Sequence, residues 1–167
     1  MAEHRYLAVV HPEWIDFLNH LPPNTKRVPI TRDHLPITPQ PGLDIQEFSI
    51  PARDGHPICV RAYKQPGHEN FPLLTYLHGG GFVTGGFETD DASCRELGTE
   101  LPILVLNVEY RLAPENPFPT GFEDSFDVVR WAGSRGTAEL PINLQRDFLL
   151  GGTSAGANFT AGIAHLA

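Results

Sequence analysis

The chain has 167 residues, 41% hydrophobic and 19% charged, which is the composition of a globular protein rather than a disordered one. A formal net charge of −8 argues against a surface that binds nucleic acid or anionic membranes. Neither a secretory leader nor a membrane-spanning run is visible, and the two cysteines form no C-x-x-C pair. We therefore expect a cytoplasmic protein.

The first predicted element is a short helix followed by a linker, together residues 1–42. Pro12 suits the first position of a helix, Trp14 and Leu18 follow at helical spacing, and the Pro-Pro pair at 22–23 ends the pattern. A polar, proline-rich passage then leads to the next element. From these residues alone, the spacing predicts a helix whose apolar face packs on another part of the protein.

The remaining residues, 43–167, predict an α/β core. The alternating segments 43–52 and 56–64 flank an Asp-Gly turn, which is typical of a β-hairpin. Strands then alternate with helices in the order β-α-β-α-β-α. The strands are 71–79, 102–110 and 147–152, and the helices are 89–101, 118–131 and 155–166. Such alternation predicts a mostly parallel sheet with helices on both faces.

The last strand and helix are joined by a motif that is typical of a nucleophilic serine. The segment "GGTSAGAN" fits G-x-S-x-G, with Ser154 at the corner and Gly152 and Gly156 where side chains would crowd the turn. The amide of Ala155 would lie in the first turn of the helix, where the helix dipole favours an oxyanion. Taken alone, the motif is also compatible with a chance match or a phosphate-binding turn.

A second glycine-rich turn follows the predicted central strand. In "YLHGGGF", the glycines Gly79, Gly80 and Gly81 come directly after His78, and their amides are not shielded by side chains. Two such amides, together with that of Ala155, could form an oxyanion hole. A phosphate-cradling loop is the alternative, but the segment lacks both G-x-G-x-x-G and the P-loop lysine.

With these motifs the sequence resembles the hormone-sensitive-lipase-like branch of the α/β-hydrolases. The resemblance rests on "HGGGFVTGGFETDD", "NVEYRLAPENPFPTGFEDSFDVVRW" and "GGTSAGAN", and it spans roughly residues 73–164. The run "YRLAPE" is especially characteristic of this branch. The fold implied is an α/β-hydrolase fold that is incomplete, with an N-terminal cap helix, an opening hairpin and the N-terminal part of the core, lacking the C-terminal strands.

The resemblance also implies a reaction and roles for several residues. It implies a carboxylic ester hydrolase of the serine acyl-enzyme type, with Ser154 as nucleophile and oxyanion-hole hydrogen bonds from Gly80, Gly81 and Ala155. His78 would brace the glycine turn rather than act as the base. The helix around Trp14 would belong to a mobile cap over the acyl pocket, with ordinary packing as the open alternative.

Two positions of the serine motif depart from the family pattern. The family often carries an acidic residue just before the serine and a further glycine after the motif, whereas this chain has Thr153 and Ala157. Both replacements are small. We therefore expect a change in local hydrogen bonding more than in shape.

The third departure concerns the base and the acid of the triad. In this fold the order along the chain is Ser, acid, His, but the thirteen residues after Ser154 contain no acid and only His165. Eleven helical positions place His165 about 16 Å along the axis from the serine, which is far beyond hydrogen-bond reach. We expect the chain to lack the triad acid and histidine, and to leave one edge of an apolar strand exposed to self-association or to a complementing segment.

Two hypotheses about function follow. The first is a serine carboxylic ester hydrolase, in a truncated form, that acts on a small-molecule ester and uses no metal or cofactor. The alternative is a catalytically inactive, hydrolase-like binding or interaction protein, or a truncated product without independent function. Whether this chain turns over an ester therefore stays open at the level of sequence.

Overall fold

The computed structural model describes residues 11–20 and 36–166, which belong to two compact units. The first unit contains helix α1, Pro12–His20, so the predicted helix begins at Pro12 as expected. Residues 21–23, where the sequence predicts its end, lie outside the described residues. A cap role for α1 and a domain boundary at residue 42 stay predictions.

The second unit is a five-stranded sheet covered by helices. Its strands and helices, in chain order, are β1 (Asp44–Pro51), β2 (Pro57–Lys64), β3 (Leu73–Leu77), α2 (Phe87–Glu100), β4 (Leu104–Glu109), α3 (Thr120–Trp131), α4 (Thr137–Glu139), β5 (Phe148–Gly152) and α5 (Ala155–Leu166). A five-residue π-helical turn, Ala132–Gly136, joins α3 to α4. All predicted strands and helices are present, and the π-helical turn and α4 are additions to the prediction.

The strands lie in the order β1-β2-β4-β3-β5, and the sheet is mixed. The predicted hairpin is present, with Asp44 opposite Lys64, and β2 also pairs antiparallel with β4. The parallel part consists of β3 with β4 on one side and β5 on the other, in a register that sets Leu77 beside Gly152. The carboxyl ends of β3 and β5 therefore meet, and both glycine motifs begin there.

Apolar side chains on both faces of the sheet explain why the central strands read as continuous hydrophobic runs. Along β4, Leu104, Leu106 and Val108 face the larger core, which also contains residues of α3 and α5. Val105, on the opposite face, belongs to a second core with Cys94 of α2. Side chains alternate across a strand, so a sheet with helices on both faces needs mainly apolar residues on both sides of its central strands.

Two helices begin at positions that differ slightly from the prediction. Helix α2 begins at Phe87 rather than residue 89, because the Phe87 amide donates to Glu109 Oε2 (2.9 Å) from the end of β4. Helix α3 begins at Thr120, after Pro119, rather than at residue 118. The contact with Glu109 is not visible from local sequence. Among the helices that the structure describes, none is long and apolar enough to cross a membrane.

Candidate active site

Ser154 occupies the sharp turn between β5 and α5. Its φ of 52° lies in the left-handed region, which is uncommon for a residue with a side chain, and the residue is exposed to solvent. Its carbonyl oxygen accepts a hydrogen bond from the Asn158 amide (3.0 Å), so the turn leads directly into α5. This is the geometry of a serine that is presented at the carboxyl end of a sheet.

The two glycines of the serine motif are required by the end of β3. A Cβ atom at Gly152 would lie 2.5 Å from the carbonyl oxygen of Leu77, and one at Gly156 would lie 2.6 Å from that of His78. Both distances are shorter than real Cβ contacts, and backbone atoms cannot easily give way. The sequence predicted crowding at these positions, and the crowding group is the neighbouring strand.

The glycine turn after β3 faces the same end of the sheet. Gly80 and Gly81 have φ values of 133° and 61°, which favour glycine, and the Gly80 carbonyl accepts a hydrogen bond from the Thr84 amide (3.0 Å). Within the described part of the chain, no partner is found for the amides of Gly80, Gly81 and Ala155. Unpaired amides next to an exposed serine hydroxyl suit the binding of an oxyanion.

His78 is fully buried beneath the glycine turn. Its Nδ1 donates to the Gly79 carbonyl (2.7 Å), and its ring stacks on Tyr110 with the centroids 4.2 Å apart. The Tyr110 hydroxyl in turn donates to the His78 carbonyl (2.7 Å). Burial lowers the pKa of His78, so the ring is neutral at neutral pH. These contacts fix the ring beneath the glycine turn, where it supports the backbone of that turn.

Asp90 connects the glycine turn to the serine turn. Its Oδ2 accepts a hydrogen bond from the Gly79 amide (3.1 Å), and its Oδ1 accepts one from Thr153 Oγ1 (3.4 Å). Thr153 Oγ1 also lies 2.7 Å from the hydroxyl of Tyr76. Because a carboxylate only accepts, Thr153 donates to Asp90 and accepts a hydrogen bond from the Tyr76 hydroxyl. Burial and the nearby charge of Asp90 raise the pKa of Tyr76.

The "YRLAPE" run is held in place by a buried ion pair. Arg111 makes hydrogen bonds to Asp124 on α3 through its backbone amide, its Nε and one terminal nitrogen (2.7–3.0 Å). Its other terminal nitrogen pairs with Asp54 in the hairpin turn (2.8 Å). These carboxylates raise the pKa of Arg111, and Asp124 is only 1% exposed. Arg111 is therefore a structural clamp in this arrangement.

An apolar cavity of about 350 Å³ lies beside the two turns. Phe82 follows the glycine turn directly, and Phe159 lies on α5 just after the serine turn, with the two rings 4.9 Å apart. Phe118 and Phe122 contribute further aromatic surface, and Asn158 supplies a polar group to the lining. The cavity can hold an apolar group of modest size.

The structure brings most of the predicted site residues together, but it places none of the described histidines where it could act as a base for Ser154. Ser154, Ala155 and the glycines of both motifs lie at the meeting carboxyl ends of β3 and β5. His165 is exposed at the far end of α5. Among residues 11–20 and 36–166, no histidine is hydrogen-bonded to the serine hydroxyl, and no group of three or more His, Cys, Asp or Glu is arranged to hold a metal ion.

Sequence reasoning missed three acidic residues that organise this region. Asp90 and Glu109 contact the glycine turn and the start of α2, and Asp124 holds Arg111. In the sequence, Asp90 stands out only as an acidic residue in the first turn of a predicted helix. The helix is kinked at this residue, whose φ and ψ of −124° and 17° are not helical, and no local sequence signal indicates that kink.

Comparison with known proteins gives a consistent result. A family model described as alpha/beta hydrolase fold matches residues 74–167. The carboxylic ester hydrolase LipN of Mycobacterium tuberculosis is 39% identical over 129 residues, which are 77% of this chain and 34% of that protein.

Solved structures agree with the sequence relatives. An esterase from the archaeon Pyrobaculum calidifontis superposes with a TM-score of 0.69 at 37% identity, over 74% of this chain and 39% of the esterase. A bacterial heroin esterase gives a TM-score of 0.71 at 34% identity, over 75% of this chain and 40% of that one. The chain thus spans less than half the length of each of these relatives.

Proposed function

Because the chain belongs to the hormone-sensitive-lipase-like branch of the α/β-hydrolase fold family, we propose that it is a carboxylic ester hydrolase scaffold with Ser154 as nucleophile. The observation that carries the proposal is the exposed Ser154 at φ 52°, set at the meeting ends of β3 and β5 beside unpaired amides. His78, Gly79, Gly152 and Gly156 serve as structural residues that allow the two turns to approach.

The chemistry follows from this arrangement. Ser154 Oγ attacks the ester carbonyl carbon and the carbonyl oxygen becomes an alkoxide; the serine proton must pass to a general base, which no histidine bonded to Ser154 provides within residues 11–20 and 36–166. The amides of Gly80, Gly81 and Ala155 are the donors that would stabilise this alkoxide, each by roughly 3 kcal/mol. Departure of the alcohol leaves an acyl-serine, which water then hydrolyses.

The cavity beside the turns supports a small ester with an apolar portion. Four of its nine lining residues are phenylalanines, and about 350 Å³ accommodates a short acyl chain or a single aromatic ring. We expect nitrophenyl esters of short acids to react or bind better than those of long acids. A flat profile across the chain-length series would contradict this part of the proposal.

A second candidate function is a binding protein that keeps the scaffold without turnover. The observation that favours it is the lack of a histidine on Ser154 Oγ within residues 11–20 and 36–166. His78 is an unsuitable base because it is buried and held by Gly79 and Tyr110. An oxyanion hole without its triad still gives residual catalysis in serine hydrolases, so weak activity would be compatible with the first proposal.

The outer edge of β5 supports self-association. Leu149 is 46% exposed there, and a groove of about 650 Å³ runs between β5 and the alanines of α5 that face outward. An edge strand with apolar side chains is a template for pairing with another chain. The proposed partner is a second copy of this chain, joined edge to edge.

The experiment that tests the nucleophile is intact-mass measurement after incubation with a small fluorophosphonate, with Ser154→Ala as control. Displacement of fluoride by Ser154 Oγ adds the mass of the phosphonyl group. Stoichiometric labelling that is absent in the variant supports the hydrolase proposal. A folded chain without labelling would contradict it and favour the binding protein.

A further inference from the structure

We propose that Asp90 is a positioning residue that holds the glycine turn and the serine turn at the separation an oxyanion hole needs. The positioning role rests on the function proposed above, whereas the hydrogen bonds by which Asp90 ties the two turns together do not. Asp90 lies on α2, eleven residues from Gly79 and 63 from Thr153, so it belongs to neither motif.

The first part of the argument is that one carboxylate contacts both turns. Oδ2 of Asp90 accepts from the amide of Gly79, the residue just before the proposed donors Gly80 and Gly81. Oδ1 accepts from the hydroxyl of Thr153, the residue just before Ser154. Because the two oxygens of a carboxylate are held rigidly, the contacts limit how far the turns can separate.

The second part is that the tie has support on both sides. On the serine side, the Tyr76 hydroxyl lies 2.7 Å from Thr153 Oγ1 and orients it toward Asp90. On the glycine side, a Cβ atom on Gly79 would lie 3.3 Å from the Thr153 carbonyl oxygen, so the two turns are already in contact. The kink of α2 at Asp90 occurs at the residue that bridges them.

The third part concerns the residue before the serine. The residue directly before Ser154 is Thr153. A threonine hydroxyl can donate to a carboxylate, whereas an acid in its place would repel Asp90. Asp90 and Thr153 therefore form a matched pair, with the carboxylate supplied by α2 rather than by the motif itself.

The experiment measures amide hydrogen exchange at Gly79 by NMR, and the rate of fluorophosphonate labelling, in the full chain. In Asp90→Ala we expect the Gly79 amide to exchange at least about tenfold faster and labelling to slow by about tenfold, as loss of a hydrogen bond to a charged group predicts. Asp90→Asn should recover most of both, because its amide can accept from Gly79 and donate to Thr153.

Several controls separate positioning from general stability. Glu96→Ala changes an exposed carboxylate on the same helix and should leave both rates within about twofold of the unchanged protein. The Thr153 amide, which donates to the Leu77 carbonyl (3.1 Å), reports opening of the serine turn itself. Thr153→Val removes only one side of the tie, and it provides the test if Asp90→Ala does not fold.

The outcomes are distinguishable. If the Gly79 amide exchanges at an unchanged rate in Asp90→Ala, Asp90 does not tie the two turns. If Thr153→Val is labelled at an unchanged rate, the tie has no positioning role. If the unchanged protein is not labelled at all, the positioning role fails together with the proposed function. Gly79 exchange then still decides whether Asp90 ties the two turns.

Discussion

Strand β5 has two very different surroundings, at its carboxyl end and along its outer edge. At the carboxyl end, Gly152 and Gly156 pack so closely against the carbonyls of Leu77 and His78 that no Cβ atom fits. Along the outer edge, Leu149 is exposed and an open groove separates the strand from part of α5. One strand thus ends in a backbone contact too close for a Cβ atom at Gly152 and also carries an exposed leucine, Leu149.

The difference shows that the proposed site and the sheet edge depend on different interactions. The closed end is held by backbone contacts, by the His78–Tyr110 stack and by the Arg111–Asp124 pair, all within the second compact unit. The open edge has no such contacts among the described residues. We therefore expect substitutions at the closed end to affect folding, and substitutions at the open edge to affect association.

The largest effect is expected from Gly156→Ala. The added methyl group would collide with the backbone carbonyls of Leu77 and His78, and we expect a loss of about 3 kcal/mol in the free energy of unfolding, measured by urea denaturation. Gly133→Ala is the matched control, since no atom lies within 4 Å of a Cβ at that position. Equal midpoints for the two variants would show that the closed end is less crowded than described.

The next effect concerns the clamp on the "YRLAPE" run. Asp124→Ala leaves most of the Arg111 hydrogen bonds unmade, and we expect a loss of about 2 kcal/mol in the free energy of unfolding. The neighbouring Glu123→Ala removes a partly exposed partner of Arg53 and should cost less than about 1 kcal/mol. Similar losses in both variants would contradict the buried clamp.

A smaller effect is expected from pH. Burial holds the pKa of His78 below its unfolded value, so below about pH 6.5 the unfolded chain binds a proton that the folded chain does not. Stability should therefore fall as pH decreases through this range, by at most about 1.4 kcal/mol per pH unit from this group. Denaturation of His78→Asn should show a flatter dependence on pH, and an unchanged slope in this variant would contradict the prediction.

The smallest effect on folding is expected at the open edge. Leu149→Lys should change the free energy of unfolding by less than about 0.5 kcal/mol but should abolish self-association, measured by sedimentation velocity. Leu101→Lys, at an equally exposed leucine beyond the end of α2, is the control and should leave association unchanged. Association that persists in Leu149→Lys would place the contact elsewhere.

Much of the fold could be predicted because its signals are local. The hairpin followed from an Asp-Gly turn between alternating segments, and the helices from apolar spacing. The first residues of α2 and α3 could not be predicted to the residue. In α2 the start depends on Glu109, which is 22 residues away in sequence and adjacent only through the pairing of strands.

The motifs alone predict Ser154 as the nucleophile with the glycines around it, because a sharp turn with unshielded amides needs those residue types in that order. Only the tertiary structure decided which atoms exclude a side chain at Gly152 and Gly156, that His78 stacks on Tyr110, and that Asp90 joins the two turns. These contacts link residues far apart in sequence, and their partners are chosen by the strand order β1-β2-β4-β3-β5. The local spacing of residue types determines which backbone conformation a segment prefers. Contacts between distant residues are determined by how the sheet and its helices pack.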